Sequence, residues 1–390
     1  MENFVYHHPV KIIFGDDVLG QLGRELSNLG SHVLFVYGQA SIKKSGLYER
    51  ITEILENSGI GYTEFGGIRP NPLLSTVREG ITAARESGCE AILAVGGGSV
   101  IDSGKAISAG VLVEHDIWKL FTGKKTVAQA LPLLSIPTVA GSGSEINHGM
   151  VLTNDELKLK FGFAHRHLYP RVCIADPSLT CSVSAEQTGY GCVDALCHSL
   201  EPYLTTRAVG IEFQKRYLEN CTRTIIQAAR GCIDSPDSYD HRASMLWSSM
   251  MAMSPLSTAG IGRVHHSLHV IEHGLSALHN IPHGAGLAAL LIGWLNYHLE
   301  QWENSISGWG EEVLGVAGDS ASQKAEATVQ ELKRLLISLG CPICLDDLGL
   351  TEKDIGPIAA HAREQLRVRR IPGVDEHSSL VVLQNSLQLR

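Results

Sequence analysis

The chain has 390 residues, too many for one ordinary hydrophobic core, so two domains are expected. Hydrophobic residues make up 44% and charged residues 19%, the balance of a folded globular protein and not of a disordered one. A net charge of -9 with no basic block argues against nucleic acid or an anionic membrane surface as a partner.

The opening residues, MENFVYHHPVKIIFGDD, lack the basic-then-apolar order of a secretory signal, and no apolar run reaches membrane-spanning length. Nine scattered cysteines, an odd number, point to reduced thiols and a cytoplasmic setting. Cys341 and Cys344 form a lone CxxC around Pro342 with no matching pair, and read as structural.

Phe4 to Phe14 alternates weakly and ends at Gly15-Asp16-Asp17, predicting a strand pair, and Asp17 to Leu29 has a helical pattern. His32 to Tyr37 (HVLFVY) is a short continuous apolar run, as in a strand covered on both faces. A helix from about Lys43 to Ser58, a strand Gly61 to Phe65 and a helix from Asn71-Pro72 to about Ser87 follow. Ala91 to Val95 (AILAV) is a further buried strand, leading through Gly96-Gly97-Gly98-Ser99 into a helix ending near Ala109; Leu133 to Ile136 is another strand. Strands alternating with helices imply parallel βαβ units and a doubly wound sheet. Beyond about Asp176 long helical patterns take over: Ala185 to Tyr203, Ala208 to Arg230, Tyr239 to Met253, Gly284 to Trp302, Gln323 to Leu339 and Thr351 to Gln365. A boundary in Pro177 to Ala185 therefore divides an α/β domain, residues 1–180, from an all-helical one, residues 181–390.

Two loops in the first half are built for phosphate. In AILAVGGGSVIDSGKAI the glycines let backbone approach a ligand, and the helix that follows offers free N–H groups and a positive dipole end. Asp102, one turn into that helix, could accept from a cofactor amide or hydroxyl, or serve the helix dipole. The second loop, Thr138 to Glu145, also follows a strand and is rich in glycine and hydroxyls, so a dinucleotide fits better than a lone phosphate. NAD sites place an acidic residue beyond a strand end to take the ribose hydroxyls. Here HVLFVY runs into Gly38, Gln39, Ala40 and Ser41, then Lys43 and Lys44, so a 2′-phosphate could be held by Ser41 and a lysine. The expected cofactor is NADP(H), with NAD possible.

The second half carries a metal pattern. Six histidines fall within His265 to His283, where Leu268, Ile271, Leu275 and Leu278 give a helical period before Ile281-Pro282-His283-Gly284 breaks it. His269 and His273 share a helix face, as do Asp194 and His198 in the apolar GCVDALCH segment. Asp194 and His198 with two later histidines make one carboxylate and three imidazoles, a set suited to Fe(II) or Zn(II). His269 to His273 also fits the inverted zinc-protease signature H-x-x-E-H, a short motif that leaves the glycine loops unexplained.

With these pieces together the chain resembles the iron-containing, group III alcohol dehydrogenases, in particular their NADPH-dependent butanol dehydrogenase and aldehyde reductase branch. The match runs in order through YGQASIKKSGLYER, GGGSVIDSGKAI, IPTVAGSGSE, Lys160-Phe161-Gly162, ADPSLT, GCVDALCHSLEPY and HVIEHGLSALHNIPHG, over roughly residues 5 to 300. The resemblance implies a Rossmann-like N-terminal domain, a helical metal-binding C-terminal domain with the active site in the cleft between them, and a homodimer. It implies a divalent metal held by Asp194, His198, His269 and His283, with His273 as a proton relay. It implies cofactor contacts from Gly38, Ser41, Gly97, Gly98, Ser99, Asp102, Thr138, Ser142 and Lys160; NAD-using members carry a carboxylate where Gly38 stands. The reaction expected is reversible hydride transfer between the cofactor and a small-molecule alcohol or aldehyde. Glycerol dehydrogenases and dehydroquinate synthases share the two-domain plan; no lysine-rich pocket for a synthase's phosphorylated substrate lies between Asp194 and His283. NAD-dependent polyol oxidation of the glycerol dehydrogenase kind is one alternative, and a metal- and nucleotide-binding sensor without turnover is another.

Overall fold

The computed structural model describes residues 1–369 and 375–388. The α/β part runs β1 (Lys11–Phe14), α1 (Leu22–Ser27), β2 (His32–Tyr37), α2 (Ser41–Lys44), α3 (Leu47–Asn57), β3 (Gly61–Phe65), α4 (Leu74–Glu86), β4 (Ala91–Gly96), α5 (Gly98–Val111), α6 (Trp118–Phe121), β5 (Leu133–Pro137), β6 (Gly149–Asn154), β7 (Leu159–Ala164) and β8 (Val172–Ala175). The helical part runs α7 (Ala185–Thr205), α8 (Glu212–Asp234), α9 (Tyr239–Ala252), α10 (Ser267–His279), α11 (His283–His298), α12 (Glu303–Leu314), α13 (Ala321–Ser338), α14 (Glu352–Arg369) and α15 (Glu376–Asn385). Two compact units result: His8–Val183 with Asp237–Leu246, and Met1–His7 with Ser184–Pro236 and Trp247–Arg390.

In the first unit six parallel strands form a sheet in the order β1-β8-β5-β4-β2-β3. Alternate residues feed two cores, one on each face: Val33, Phe35, Leu93 and Val95 enter one, and Leu34, Val36, Ile92 and Ala94 the other. Burial on both faces is why these strands read as unbroken apolar runs, and each large side chain so buried contributes about 1.5–3 kcal/mol.

The strand pair expected in Phe4 to Phe14 does not form; only Lys11–Phe14 is a strand, because only it finds a neighbour, β8. The helix expected over Asp17 to Leu29 divides into a 3₁₀ turn, Val18–Gln21, and α1. β8 and the antiparallel β6–β7 hairpin were not expected. In the second unit the predicted helix Gly284 to Trp302 ends at His298, and α12 and α15 are additional. Helix α7 starts where Ser184 accepts a hydrogen bond from the Gln187 N–H, an N-cap worth about 1 kcal/mol. Among the described residues no helix is long and apolar enough to cross a membrane.

Candidate functional site

In the helical unit α7 is buried without a break from Cys192 to Thr205. Asp194, His198 and Glu201 fall on one stripe of it, four and three residues apart. The other histidines come from α10 and α11. Asn280 takes a left-handed φ of 54° and closes α10, and Pro282 precedes α11, so the chain reverses and His283 becomes the first residue of the new helix. Gly284 makes the approach to α7 possible: a Cβ there would lie 2.3 Å from the Tyr190 carbonyl oxygen.

These elements bring all four expected metal ligands together. Asp194 Oδ1 lies 3.4 Å from His198 Nε2, 3.6 Å from His269 Nε2 and 3.7 Å from His283 Nε2. Ligand atoms about 2.0–2.2 Å from a tetrahedral metal stand roughly 3.4 Å apart. The donors of Asp194, His198 and His269 lie mutually close enough to hold one cation, and His283 joins them through its approach to Asp194. Asp194 Oδ1 and His269 Nε2 are buried and take part in no hydrogen bond, a loss of about 1–3 kcal/mol each unless a cation takes them up.

Two carboxylates that the sequence reading passed over aim the imidazoles. Glu201, fully buried, accepts from His269 Nδ1 through Oε1 and from the Leu268 N–H through Oε2 at 3.0 Å. Glu272, also fully buried, accepts from His283 Nδ1 through Oε2 and from the Ser276 hydroxyl through Oε1 at 2.5 Å. Anchoring Nδ1–H turns each Nε2 lone pair toward Asp194, the carboxylate–histidine arrangement that tunes metal ligands. Burial acts against a proton on His269, yet the carboxylates of Glu201 and Asp194 override it and raise the imidazole to about 10. Burial likewise works to raise the Asp194 carboxyl, but the imidazoles of His198, His283 and His269 hold it well below the usual range. The site is built to attract positive charge.

His273, buried beside His283 at 5.8 Å between ring centroids, is not among the Asp194 contacts. Its Nδ1 donates to the Gln365 Oε1 at 3.0 Å, which makes Nε2 the acceptor nitrogen. Of the other histidines in the stretch, His266 lies edge-on to His269 at 5.6 Å, and His279 Nε2 stands 4.0 Å from Asp354.

In the α/β unit β4 delivers its glycine turn to the N-terminus of α5. Gly97 is the N-cap and provides no side-chain cap, so the first N–H groups of a 14-residue helix are left for an anion. A Cβ at Gly98 would lie 2.5 Å from Ser142 Oγ, so the two glycine loops close on one another. Thr138 N–H donates to Gly96 O at 3.1 Å. Gly97, Gly98 and Ser99 thus open α5 beside Ser142, with Thr138 bonded to the end of β4, and Asp102 stands one turn into the same helix.

Asp102 is tied in place: Oδ1 accepts from the Ser144 hydroxyl at 2.5 Å and Oδ2 from the Val151 N–H at 2.9 Å. Lys105, wholly buried one turn on, donates to Ser144 Oγ (2.9 Å), Asn147 Oδ1 (2.9 Å) and Gly149 O (2.7 Å). Burial pushes the Lys105 ammonium down to about 8, against the pull of Asp102 and Glu145. Burial raises the Asp102 carboxyl, opposed by Lys105, its hydrogen bonds and Lys160. Lys160, on β7, donates to Asn71 Oδ1 at 2.9 Å. Gly38 and Ser41 lie one strand away, at the end of β2 and the start of α2.

A helix N-terminus bared at the end of a central parallel strand is where doubly wound sheets bind dinucleotides and related ligands. Sequence models of two halves of one family match in order: "Iron-containing alcohol dehydrogenase" over residues 9–177, and "Fe-containing alcohol dehydrogenase family, C-terminal" over residues 188–379. The chain belongs to the iron-containing alcohol dehydrogenase family and is an NAD(P)-dependent alcohol dehydrogenase. It is 35% identical to the probable NADH-dependent butanol dehydrogenase 1 of Bacillus subtilis (strain 168), over 99% of this chain and 100% of that protein. It is 31% identical to the NADPH-dependent aldehyde reductase YqhD of Escherichia coli (strain K12), over 91% of each. The crystal structure of NADH-dependent butanol dehydrogenase A from Thermotoga maritima superposes with a TM-score of 0.96 at 36% identity, covering 100% of this chain and 99% of that one.

Proposed function

We propose that the protein is a metal-dependent alcohol dehydrogenase and aldehyde reductase that interconverts a primary alcohol and its aldehyde with NADP(H), accepting NAD(H) as well. The observation that carries this reading is the convergence of three imidazole Nε2 atoms on Asp194 Oδ1, with His269 and His283 each backed by a buried carboxylate. Asp194, His198, His269 and His283 would hold the cation, Fe(II) or Zn(II). When bound, the cation supplies Lewis acidity to the substrate oxygen, and the nicotinamide takes or gives the hydride.

The chain's own groups do the rest. The N–H groups at the start of α5, with Gly97, Gly98 and Ser99, bind the pyrophosphate; Thr138, Ser142, Asp102 and Lys160 line the nicotinamide side. Gly38 leaves out the carboxylate that would repel a 2′-phosphate, and Ser41 with Lys43 can receive it. His273 Nε2 takes the hydroxyl proton during oxidation and returns it during reduction; Gln365 fixes the tautomer that allows this. Primary alcohols and aldehydes are favoured as substrates by the butanol dehydrogenases and aldehyde reductase among the relatives. Nine free cysteines accord with a reducing, cytoplasmic setting, and a homodimer is the assembly proposed.

The test is His269→Ala and His283→Ala, with bound metal and NADPH-dependent reduction of a short aliphatic aldehyde both measured. Loss of most of the metal together with most of the turnover is expected. Unchanged metal content and turnover would overturn the assignment.

A further inference from the structure

Lys43 is more than a solvated residue at a helix start. Its Nζ stands 4.4 Å over the Tyr48 ring, 5.2 Å over the Tyr37 ring and 3.8 Å from Glu64 Oε2. Glu64 in turn accepts from two hydroxyls, Tyr37 to Oε2 at 2.8 Å and Tyr48 to Oε1 at 2.5 Å. Tyr37 is the last residue of β2, and Glu64 sits on the adjacent β3 opposite Phe35. The loop after β3 is tied to the cofactor loop by the Gly67 N–H, which donates to Gly38 O at 2.9 Å. The four side chains thus stand beside Gly38 and Ser41, at the strand end where a doubly wound sheet reads the adenosine ribose.

We propose that Glu64 is a specificity-determining residue for the cofactor. Fixed between two tyrosine hydroxyls, it draws Lys43 to itself and sets a negative charge beside the seat of the 2′-phosphate, narrowing the preference for NADP(H) and admitting NAD(H). The proposal rests on the reading that the α/β unit binds a nicotinamide dinucleotide. Hydrogen bonds from Tyr48 and then Tyr37 hold the Glu64 carboxyl below its usual range, so the charge persists at neutral pH. The carboxylate is 41% exposed, which keeps its repulsion of a phosphate moderate and salt-dependent. With Glu64 neutralised, the two aromatic faces still hold the Lys43 ammonium in place for a phosphate.

The experiment is Glu64→Gln in the full chain, with 2′,5′-ADP and ADP binding measured by calorimetry at low and high salt. The ratio of affinities, 2′,5′-ADP over ADP, is expected to rise about fivefold to tenfold in E64Q at low salt, as for one unit charge removed near a phosphate at the surface. The gain should shrink as salt is raised, which a mere change of packing would not produce. A ratio that is unchanged or lower, with ADP still bound, overturns the role of Glu64 alone. If wild-type protein binds neither nucleotide, the cofactor reading fails and the proposal with it. If E64Q is poorly folded by circular dichroism, Lys43→Gln decides the matter: it must lower the same ratio, and an unchanged ratio overturns the proposal.

Discussion

Glu201→Gln is the sharpest perturbation of the metal site, because with His269 Nε2 given to a cation the two groups that Glu201 serves cannot change roles. Oε1 takes the His269 Nδ1 proton and Oε2 takes the backbone N–H of Leu268, both donors. A carboxamide offers one oxygen and one NH₂, so one of the two donors must face another donor in a fully buried place. That mismatch costs about 1–3 kcal/mol. If the ring of His269 turns to relieve it, its Nε2 leaves the Asp194 set, and metal affinity should fall about tenfold to a hundredfold, as for other partners of ligating histidines. Glu272→Gln provides the internal comparison. There the second donor is the Ser276 hydroxyl, which can accept from the carboxamide NH₂ and donate instead to Ile281 O, 3.1 Å away. Zinc affinities from chelator competition should therefore rank wild type, then E272Q, then E201Q. Equal affinities for wild type and E201Q, or a larger loss in E272Q, would refute the reasoning.

Two further outcomes follow from the geometry. Gly284→Ala puts a Cβ 2.3 Å from a backbone carbonyl that cannot swing aside, so α11 must retreat from α7 and carry His283 with it. Thermal unfolding should show about 1–3 kcal/mol of destabilisation, with zinc affinity lowered as well; wild-type zinc affinity would count against the close approach described for this helix pair. His298 is 8% exposed and stacks on Trp302 at 3.7 Å; burial pushes its imidazole down to about 4. Between pH 6.5 and 4 the unfolded chain binds this proton and the folded chain does not, so the stability contributed is intact above pH 6.5 and is lost as pH falls, by up to roughly 3 kcal/mol near pH 4. Urea midpoints of His298→Phe should fall less steeply over this interval than those of the wild type; parallel curves would exclude the effect.

Much of the site was visible along the chain, where chemistry follows local spacing. Asp194 and His198 stand out as polar residues four apart in an apolar helix, and Ile281-Pro282-His283-Gly284 announces the break between α10 and α11. Glu201 escaped notice because a single glutamate one stripe position further on looks like any helix residue until its partner, 68 residues away, is known. Glu272 was seen only as part of a protease-like H-x-x-E-H, though its partner is His283 across the turn. The β6–β7 hairpin was missed for a local reason. Its turn has no Asn-Gly or Asp-Gly pair; Asn154 Oδ1 accepts from the N–H groups of Glu156 and Leu157, and Lys158 adopts a φ of 56°. Lys43 was read as a bare cation because Glu64 lies on another strand, and pairing between strands is not written in either segment alone.

The Lys105 ammonium has one further consequence, for how this enzyme can be altered. All three of its N–H bonds are spent on one connection, the stretch from Gly141 to the first residue of β6, Gly149, which has no regular structure before that strand and would pass for an ordinary surface loop. Ordinary loops accept insertions and deletions readily. This one is measured out in residues: Ser144, Asn147 and Gly149 must each arrive at a fixed distance from one buried nitrogen, and Ser144 must reach Asp102 as well. Length is therefore as constrained here as composition. A graft from a relative will take only if the loop moves together with positions 102 and 105 of α5, as a single transplantable piece.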